Sequence, residues 1–320
     1  MECRGAPRDL GRDQGEQFLS YVREALADQG LSVRRSRWPS FRALASGRVL
    51  GRGVGREIIR HYPHQGERLA GIAPGARVSL EALVDQCARA SEFRDEAPGV
   101  SAALGASGGE AWLARLLPAP AFAFDTPIVR RTLPEVGFAS LEVTRPWFVS
   151  CLAGVNEEGL AVAVSVSPPA NGVGGFLTAS LLAQDCLQRF TRVEACIDWC
   201  RKRPAESGAC LLAADATGEI AKIRPGSTAD PVGRPSEGLL AAGLSPEDEV
   251  ALRKHVANHP SSSGEWHPES LCAALRPTRE PPAGPVPGWR VQLFPGPRRL
   301  ELYAGDETKP RVAFDAVRGG

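Results

Sequence analysis

The sequence PGVSAALGASGGEAWLARLLP, residues Pro98–Pro118, is the most informative segment of the chain. Two apolar runs, Val100–Ala106 and Ala111–Leu117, flank the short sequence Ser107–Glu110. Because the two glycines of this connection tolerate the positive φ angles that a tight turn requires, the pattern predicts a β-hairpin. We expect this hairpin to occupy the middle of a sheet.

A second informative segment follows the hairpin. The string FASLEVTRPWFVSCLAGVNEEGLAVAV covers Phe138–Val164 and combines alternating and continuous apolar runs around the turn sequence Asn156–Gly159. Such runs are typical of half-buried and buried strands. We expect strands between Phe138 and Val166 to pair alongside the hairpin, and the proline-rich residues Pro118–Pro134 to form a surface connection.

The remaining pattern alternates helices with strands. Apolar residues at helical spacing predict helices before the hairpin, among them one capped by Ser79, and two helices that cover the sheet. The two covering helices span Thr178–Phe190 and Arg192–Lys202, and the later strands span Gly208–Asp215, Glu219–Ile223, Trp289–Phe294 and Leu300–Tyr303. This arrangement predicts a layered fold of helices and sheets.

Three segments of the sequence resemble one family: the start of the hairpin, the central strands and a glycine pattern near the N-terminus. The sequence Gly99-Val100-Ser101-Ala102 matches the Gly-Cys-Thr/Ser-Ala segment of N-terminal-nucleophile (Ntn) hydrolases, in the branch of acyl-coenzyme A:6-aminopenicillanic acid acyltransferase. The run AGVNEEGLA, residues 153–161, resembles that family's central strands. Gly5, Gly11 and Gly15 stand where its leader carries Gly-x-Pro-x-x-x-Gly-x-x-x-Gly, a spacing that also suits a closely packed helix.

The resemblance implies an α+β fold, an Ntn-hydrolase-like αββα four-layer sandwich with an N-terminal helical segment. Residues 1–98 then form a helical, pro-segment-like region, and residues 99–320 form the sandwich domain. In the family, the chain is cut before the cysteine, whose freed α-amino group acts as its base. Here that position is Val100, and a valine side chain has no lone pair with which to attack a carbonyl.

Other polar positions of the family's site are also changed. Its Asn-x-Asp pair aligns with Leu116 and Pro118, and its Asn-His pair with Ala242 and Gly243. Replacement of a buried polar cluster by apolar residues is compatible with a stable fold. We therefore expect neither self-cleavage nor cysteine-dependent acyl transfer.

A smaller set of residues keeps polar chemistry near the hairpin. Ser101 is a candidate nucleophile if a base reaches it, although alternation along the strand directs it away from the side of position 100. The pocket that the resemblance implies is lined by Gly99, Arg115, Leu116, Pro118 and Asn156. Asn156 also has a structural interpretation, since a strand-to-strand turn favours asparagine.

Three hypotheses follow. The first is a degenerate amide hydrolase or acyltransferase homologue without catalysis. The second is an active amidohydrolase or acyltransferase that uses Ser101. The third, an unrelated α/β binding module, is weakened by the length of the match between Phe138 and Val164.

The composition argues against several classes of binding partner. The net charge is +1 without a long run of one sign, which argues against nucleic acid and against an electrostatic membrane anchor. The N-terminus lacks an apolar signal region, so we expect a cytoplasmic protein. Eight cysteines without a CxxC pair indicate neither a metal site nor a disulfide framework, and no cofactor motif is present. The expected partner is a small-molecule amide or acyl compound, and a homo-oligomer remains open.

Overall fold

The structure, a computed structural model, describes residues 1–31, 49–90, 101–105, 111–117, 123–166, 176–203, 209–225, 232–233, 239–242, 249–254, 288–305, 307 and 309–315. These residues form an α+β fold. The helices are α1 Pro7–Gln17, α2 Leu19–Asp28, α3 Val49–His61, α4 Pro63–Gly75, α5 Leu80–Ala90, α6 Phe176–Arg189 and α7 Val193–Arg201. Within the described ranges, no helix is long and apolar enough to span a bilayer.

The described residues contain fourteen strands, which are arranged in two sheets. Sheet A has the order β1-β4-β5-β6-β7-β8-β9-β10, and sheet B has the order β11-β2-β3-β12-β13-β14. Of the strand pairs in the described ranges, only β1–β4 is parallel. The strands are β1 Glu2–Gly5, β2 Ser101–Gly105, β3 Ala111–Leu117, β4 Ile128–Pro134, β5 Ser140–Thr144, β6 Ala153–Asn156, β7 Ala161–Val166, β8 Ala209–Ala214, β9 Ile220–Ile223, β10 Val232–Gly233, β11 Leu239–Ala242, β12 Trp289–Phe294, β13 Arg299–Ala304 and β14 Val312–Asp315.

The two sheets pack face to face. Strands β2, β3 and β11 of sheet B contact β7, β8 and β9 of sheet A, while α1 and α6 pack on the opposite face of sheet A. The described residues therefore form three layers: helices, sheet A and sheet B. The described residues do not establish a second helical layer over sheet B. The four-layer arrangement therefore stays a prediction.

The predicted hairpin is present, and its place in the fold partly differs from the expectation. Strands β2 and β3 pair in antiparallel fashion and each has a second neighbour, so the hairpin is internal to sheet B. The strands between Phe138 and Val166 belong to sheet A. Their predicted pairing alongside the hairpin is wrong: they face it across the sandwich, because apolar patterning specifies a buried face without specifying the strand's neighbour.

The proline-rich connection also contains a strand that was not predicted. Strand β4 runs from Ile128 to Pro134 inside sheet A, between β1 and β5. Its sequence IVRRTLP reads as polar because it holds two arginines, yet Arg130 and Thr132 are fully buried. The expected surface connection is therefore wrong for Ile128–Pro134. The local sequence could not show this, because the burial of Arg130 depends on a partner elsewhere in the chain.

That partner is Glu142, directly opposite Arg130 in the β4–β5 register. Nε of Arg130 donates to Oε2 of Glu142 at 2.7 Å, and both side chains are fully buried. Gln14 of α1 and Gln184 of α6 accept further hydrogen bonds from Arg130, at 2.5 and 3.1 Å. This polar cluster lies between sheet A and the helical layer, and it ties α1 and α6 to the sheet.

Helices α1 and α4 approach each other at backbone distance. A Cβ atom built at Gly11 would lie 1.9 Å from the Arg68 carbonyl oxygen, and one at Gly71 would lie 2.0 Å from that of Arg8. Gly11 and Gly15 of the N-terminal pattern thus allow the close approach of the two helices. The preceding strand β1, which no sequence pattern predicts, pairs with β4 and brings the N-terminal residues into sheet A.

We predict that Gly71→Ala lowers the free energy of unfolding by about 3 kcal/mol, because the added methyl group forces α1 and α4 apart. The matched control is Gly53→Ala in α3, where a built Cβ has no described atom within 4 Å. That control should gain about 0.5–1 kcal/mol, since alanine favours helix more than glycine does. Urea unfolding of both variants measures this, and equal effects would contradict the packing account.

Candidate functional site

The backbone of the hairpin positions the candidate site. In the strand register, Ser101 lies directly opposite Arg115 on β3 and opposite Ala242 on β11. The site therefore starts at one end of β2, where sheet B faces β7, β8 and β9 of sheet A. Gly99, Val100 and Pro118 lie outside the described residues, so their predicted roles stay predictions.

Arg115 extends into the space between the sheets. Its side chain is buried, and Nη1 donates to the Leu152 carbonyl oxygen of sheet A at 2.9 Å. Burial, aided by the nearby Arg145, lowers the pKa of Arg115 to about 9. Among the described residues, Nε of Arg115 has no hydrogen-bond partner. The strand that carries it is otherwise apolar, and neighbouring Leu116 is half-buried opposite Arg290.

Two further groups, neither of which was predicted from the sequence, reach the same interior from sheet A. Lys222 of β9 donates from Nζ to the Ala241 carbonyl oxygen of β11 at 2.7 Å. Cys210 of β8 shares the face of Lys222, because Leu212 pairs with Lys222 and alternate residues share a face. The sequence contains a signal for them, since Cys210 and Lys222 interrupt otherwise apolar runs on the inward face of β8 and β9.

Burial makes the Cys210 thiol a poor nucleophile. It raises the pKa of Cys210 to about 11, although Lys222 and Arg224 act in the opposite direction. Only about one thiol in 10,000 is ionised at pH 7 under these conditions. Cys87 of α5 is likewise inert, because burial raises its pKa to about 12.

Asn156 lies away from this interior site. It sits four residues beyond Leu152, or roughly 13 Å along an extended strand at about 3.3 Å per residue. Its amide Nδ2 donates to the carbonyl oxygens of Leu187 and Phe190, and its Oδ1 accepts from two backbone N–H groups of its own turn. The structure therefore brings Ser101 and Arg115 together but gives Asn156 a set of bonds that hold the turn against α6.

Comparison with known proteins gives fold-level similarities. No family model and no curated protein sequence matches the chain. Among solved structures, an ortholog of N-acylethanolamine-hydrolyzing acid amidase from Caenorhabditis elegans is 13% identical, with a TM-score of 0.48, over 62% of this chain and 93% of that one. Penicillin V acylase from Agrobacterium tumefaciens is 15% identical, with a TM-score of 0.43, over 68% of this chain and 86% of that one.

A mutant of conjugated bile acid hydrolase from Clostridium perfringens is also similar to the chain. It is 10% identical, with a TM-score of 0.45, over 69% of this chain and 93% of that one. Similarities of this size say nothing about the activity of this chain.

We predict that Arg115→Met leaves the free energy of unfolding within about 1 kcal/mol of the wild type, or raises it. Methionine removes a buried charge that has no carboxylate partner among the described residues, and the Leu152 carbonyl keeps its bond from the Val164 N–H. The matched control is Arg130→Met, which leaves the buried Glu142 carboxylate without its partner. It should lower the free energy of unfolding by about 3–5 kcal/mol. Denaturant unfolding compares the two variants. A comparable loss of unfolding free energy in both would show that the Arg115 charge stabilises the fold, contrary to this prediction.

Proposed function

We propose that this chain is an Ntn-hydrolase-like amide hydrolase or acyltransferase homologue that has lost self-cleavage and cysteine-dependent acyl transfer. The proposal has three supports in the sequence. Val100 stands at the family's nucleophile position, and Leu116 and Ala242 stand where the resemblance expects polar groups. The α+β fold, with an internal hairpin in a two-sheet sandwich, is compatible with that ancestry.

The observation that carries the proposal is the chemistry of the described side chains around β2. Arg115 donates to a backbone carbonyl and Lys222 donates to another. Cys210 is a protonated thiol at neutral pH. Acyl transfer requires a nucleophile whose proton passes to a neighbouring base. Within the described part of the chain, these interior groups supply donors and positive charge, and none of them supplies an activated nucleophile with a base.

One contact favours a second candidate function, an active amide hydrolase or acyltransferase that uses Ser101. The ammonium group of Lys222 binds the carbonyl oxygen of Ala241, whose neighbour Ala242 is the register partner of Ser101. A cation at this place is suited to stabilising an oxyanion. It would replace donors that the family draws from other residues, but it leaves the serine without a base.

We predict that the purified chain has the single mass of the uncleaved polypeptide and that Val100→Cys remains uncleaved, because the oxyanion donors at Leu116 and Ala242 are absent. Intact-mass spectrometry tests both. We also expect no turnover of acyl-amide and acyl-thioester libraries above that of Ser101→Ala.

Two results would contradict this account. Two fragments that sum to the full mass would demonstrate self-cleavage. Turnover that Ser101→Ala abolishes and Lys222→Met reduces, with both variants folded as judged by circular dichroism, would establish the second candidate. An exposed control, Lys202→Met, should leave any turnover unchanged.

A further inference from the structure

A second polar site lies in the helical layer, on the face of sheet A that points away from sheet B. A cavity of about 210 Å³ is bounded by α1, α4, α6 and the residues that follow β4. At one side it reaches the surface, where Val136 is 89% exposed. Its floor is formed by Gln65 and Arg68 of α4, which are 1% and 2% exposed.

The polar atoms of these two floor residues are mostly unpaired. Nη2 of Arg68 donates to Oγ1 of Thr132 at 3.2 Å. Among the residues that the structure describes, Nε and Nη1 of Arg68 and both amide atoms of Gln65 have no partner. A buried polar group without a hydrogen bond costs about 1–3 kcal/mol, and more if it is charged. Three of these four atoms, Nε and Nη1 of Arg68 and Nε2 of Gln65, are donors, so the cavity floor is suited to a bound molecule with oxygen acceptors.

The charge balance gives the sign of that molecule. Arg68 and Arg130 are both buried in the polar cluster, which contains one carboxylate, Glu142. Burial and the nearby Arg130 lower the pKa of Arg68 to about 10, so it remains protonated at neutral pH. Nε2 of His64, also at the cavity, lies 2.6 Å from Oδ1 of Asp185, and the same carboxylate pairs with Arg189 at 3.6 Å. Among the described residues of the cluster, two buried guanidinium groups therefore share one buried carboxylate, while the exposed Glu135 and the Asp185-paired Arg189 lie at the rim of the cavity.

The lining also favours one class of anion. Leu10, Pro7 and Pro134 give the cavity an apolar wall, while Glu135 at the cavity disfavours a dianion. We propose that this cavity binds a short-chain aliphatic carboxylate, with its carboxylate group on Arg68 and Gln65 and its hydrocarbon chain against the apolar wall. This site is independent of the chemistry between the two sheets.

The experiment uses the full chain and sodium hexanoate as the probe, with hexanamide as its neutral counterpart and inorganic phosphate as a competing oxyanion, all at one ionic strength. Calorimetric titration should give saturable hexanoate binding with a Kd on the order of 1 mM. Hexanamide should bind at least about 10-fold more weakly, because it lacks the charge-assisted bond to Arg68.

Variants locate the site. Arg68→Met should weaken hexanoate binding by about 10-fold or more. Arg12→Met, which removes an exposed cation of α1 outside the cavity, should change it by less than about 2-fold. If Arg68→Met does not fold, Gln65→Leu replaces it, and weaker hexanoate binding by that variant together with the hexanamide comparison tests the site.

The proposal is overturned by any of three results. These are no saturable hexanoate binding, equal binding of hexanoate and hexanamide, and hexanoate binding that survives in folded Arg68→Met. Arg68-dependent binding of phosphate without binding of hexanoate would likewise overturn the carboxylate assignment. Because the assay measures binding alone, its outcome is separate from that of the cleavage and turnover experiments.

Discussion

The buried ion pair between Arg130 and Glu142 is the interaction on which the helical side of the fold depends. It joins neighbouring strands, and its remaining donors and acceptors engage Gln14, Ser140 and Gln184. Burial opposes ionisation of Glu142, but Arg130, Arg68 and these hydrogen bonds outweigh it and lower the pKa of the carboxyl group. Helices α1 and α6 are thus attached to sheet A by polar bonds whose direction fixes their positions.

The two faces of sheet A are used differently. Toward sheet B it presents mainly small or apolar residues, interrupted by Ser165, Cys210 and Lys222, while toward the helices it presents the charged cluster around Arg130. A site between the sheets and a site under the helices therefore share one sheet without sharing a side chain. Their chemistry also differs: the first offers hydrogen-bond donors beside a hairpin, and the second offers a buried guanidinium group at the floor of a cavity with one apolar wall.

Local patterns predicted much of the fold. The turn after β8 could be predicted because Asp215 binds its own turn through the Thr217 N–H, and Gly218 takes a φ of 90°. Long-range partners could not be predicted in this way. Strand β1 pairs with β4 more than 120 residues away, and the burial of Arg130 depends on Glu142 together with two helices. At the candidate site, Arg115 could be predicted from the hairpin pattern. Lys222 could not, because its place in the site depends on contact between the two sheets, which local sequence patterns do not encode.

The most direct measurement is a double-mutant cycle on the buried pair, with Arg130→Met, Glu142→Leu and the double variant compared by urea unfolding at pH 7. If the pair acts as one unit, each single variant leaves a buried charge without its partner and loses about 3–5 kcal/mol. The double variant should then lose less than the sum of the two losses by at least about 2 kcal/mol. Additivity within about 0.5 kcal/mol would contradict the account, because it would mean that the two charges are stabilised independently.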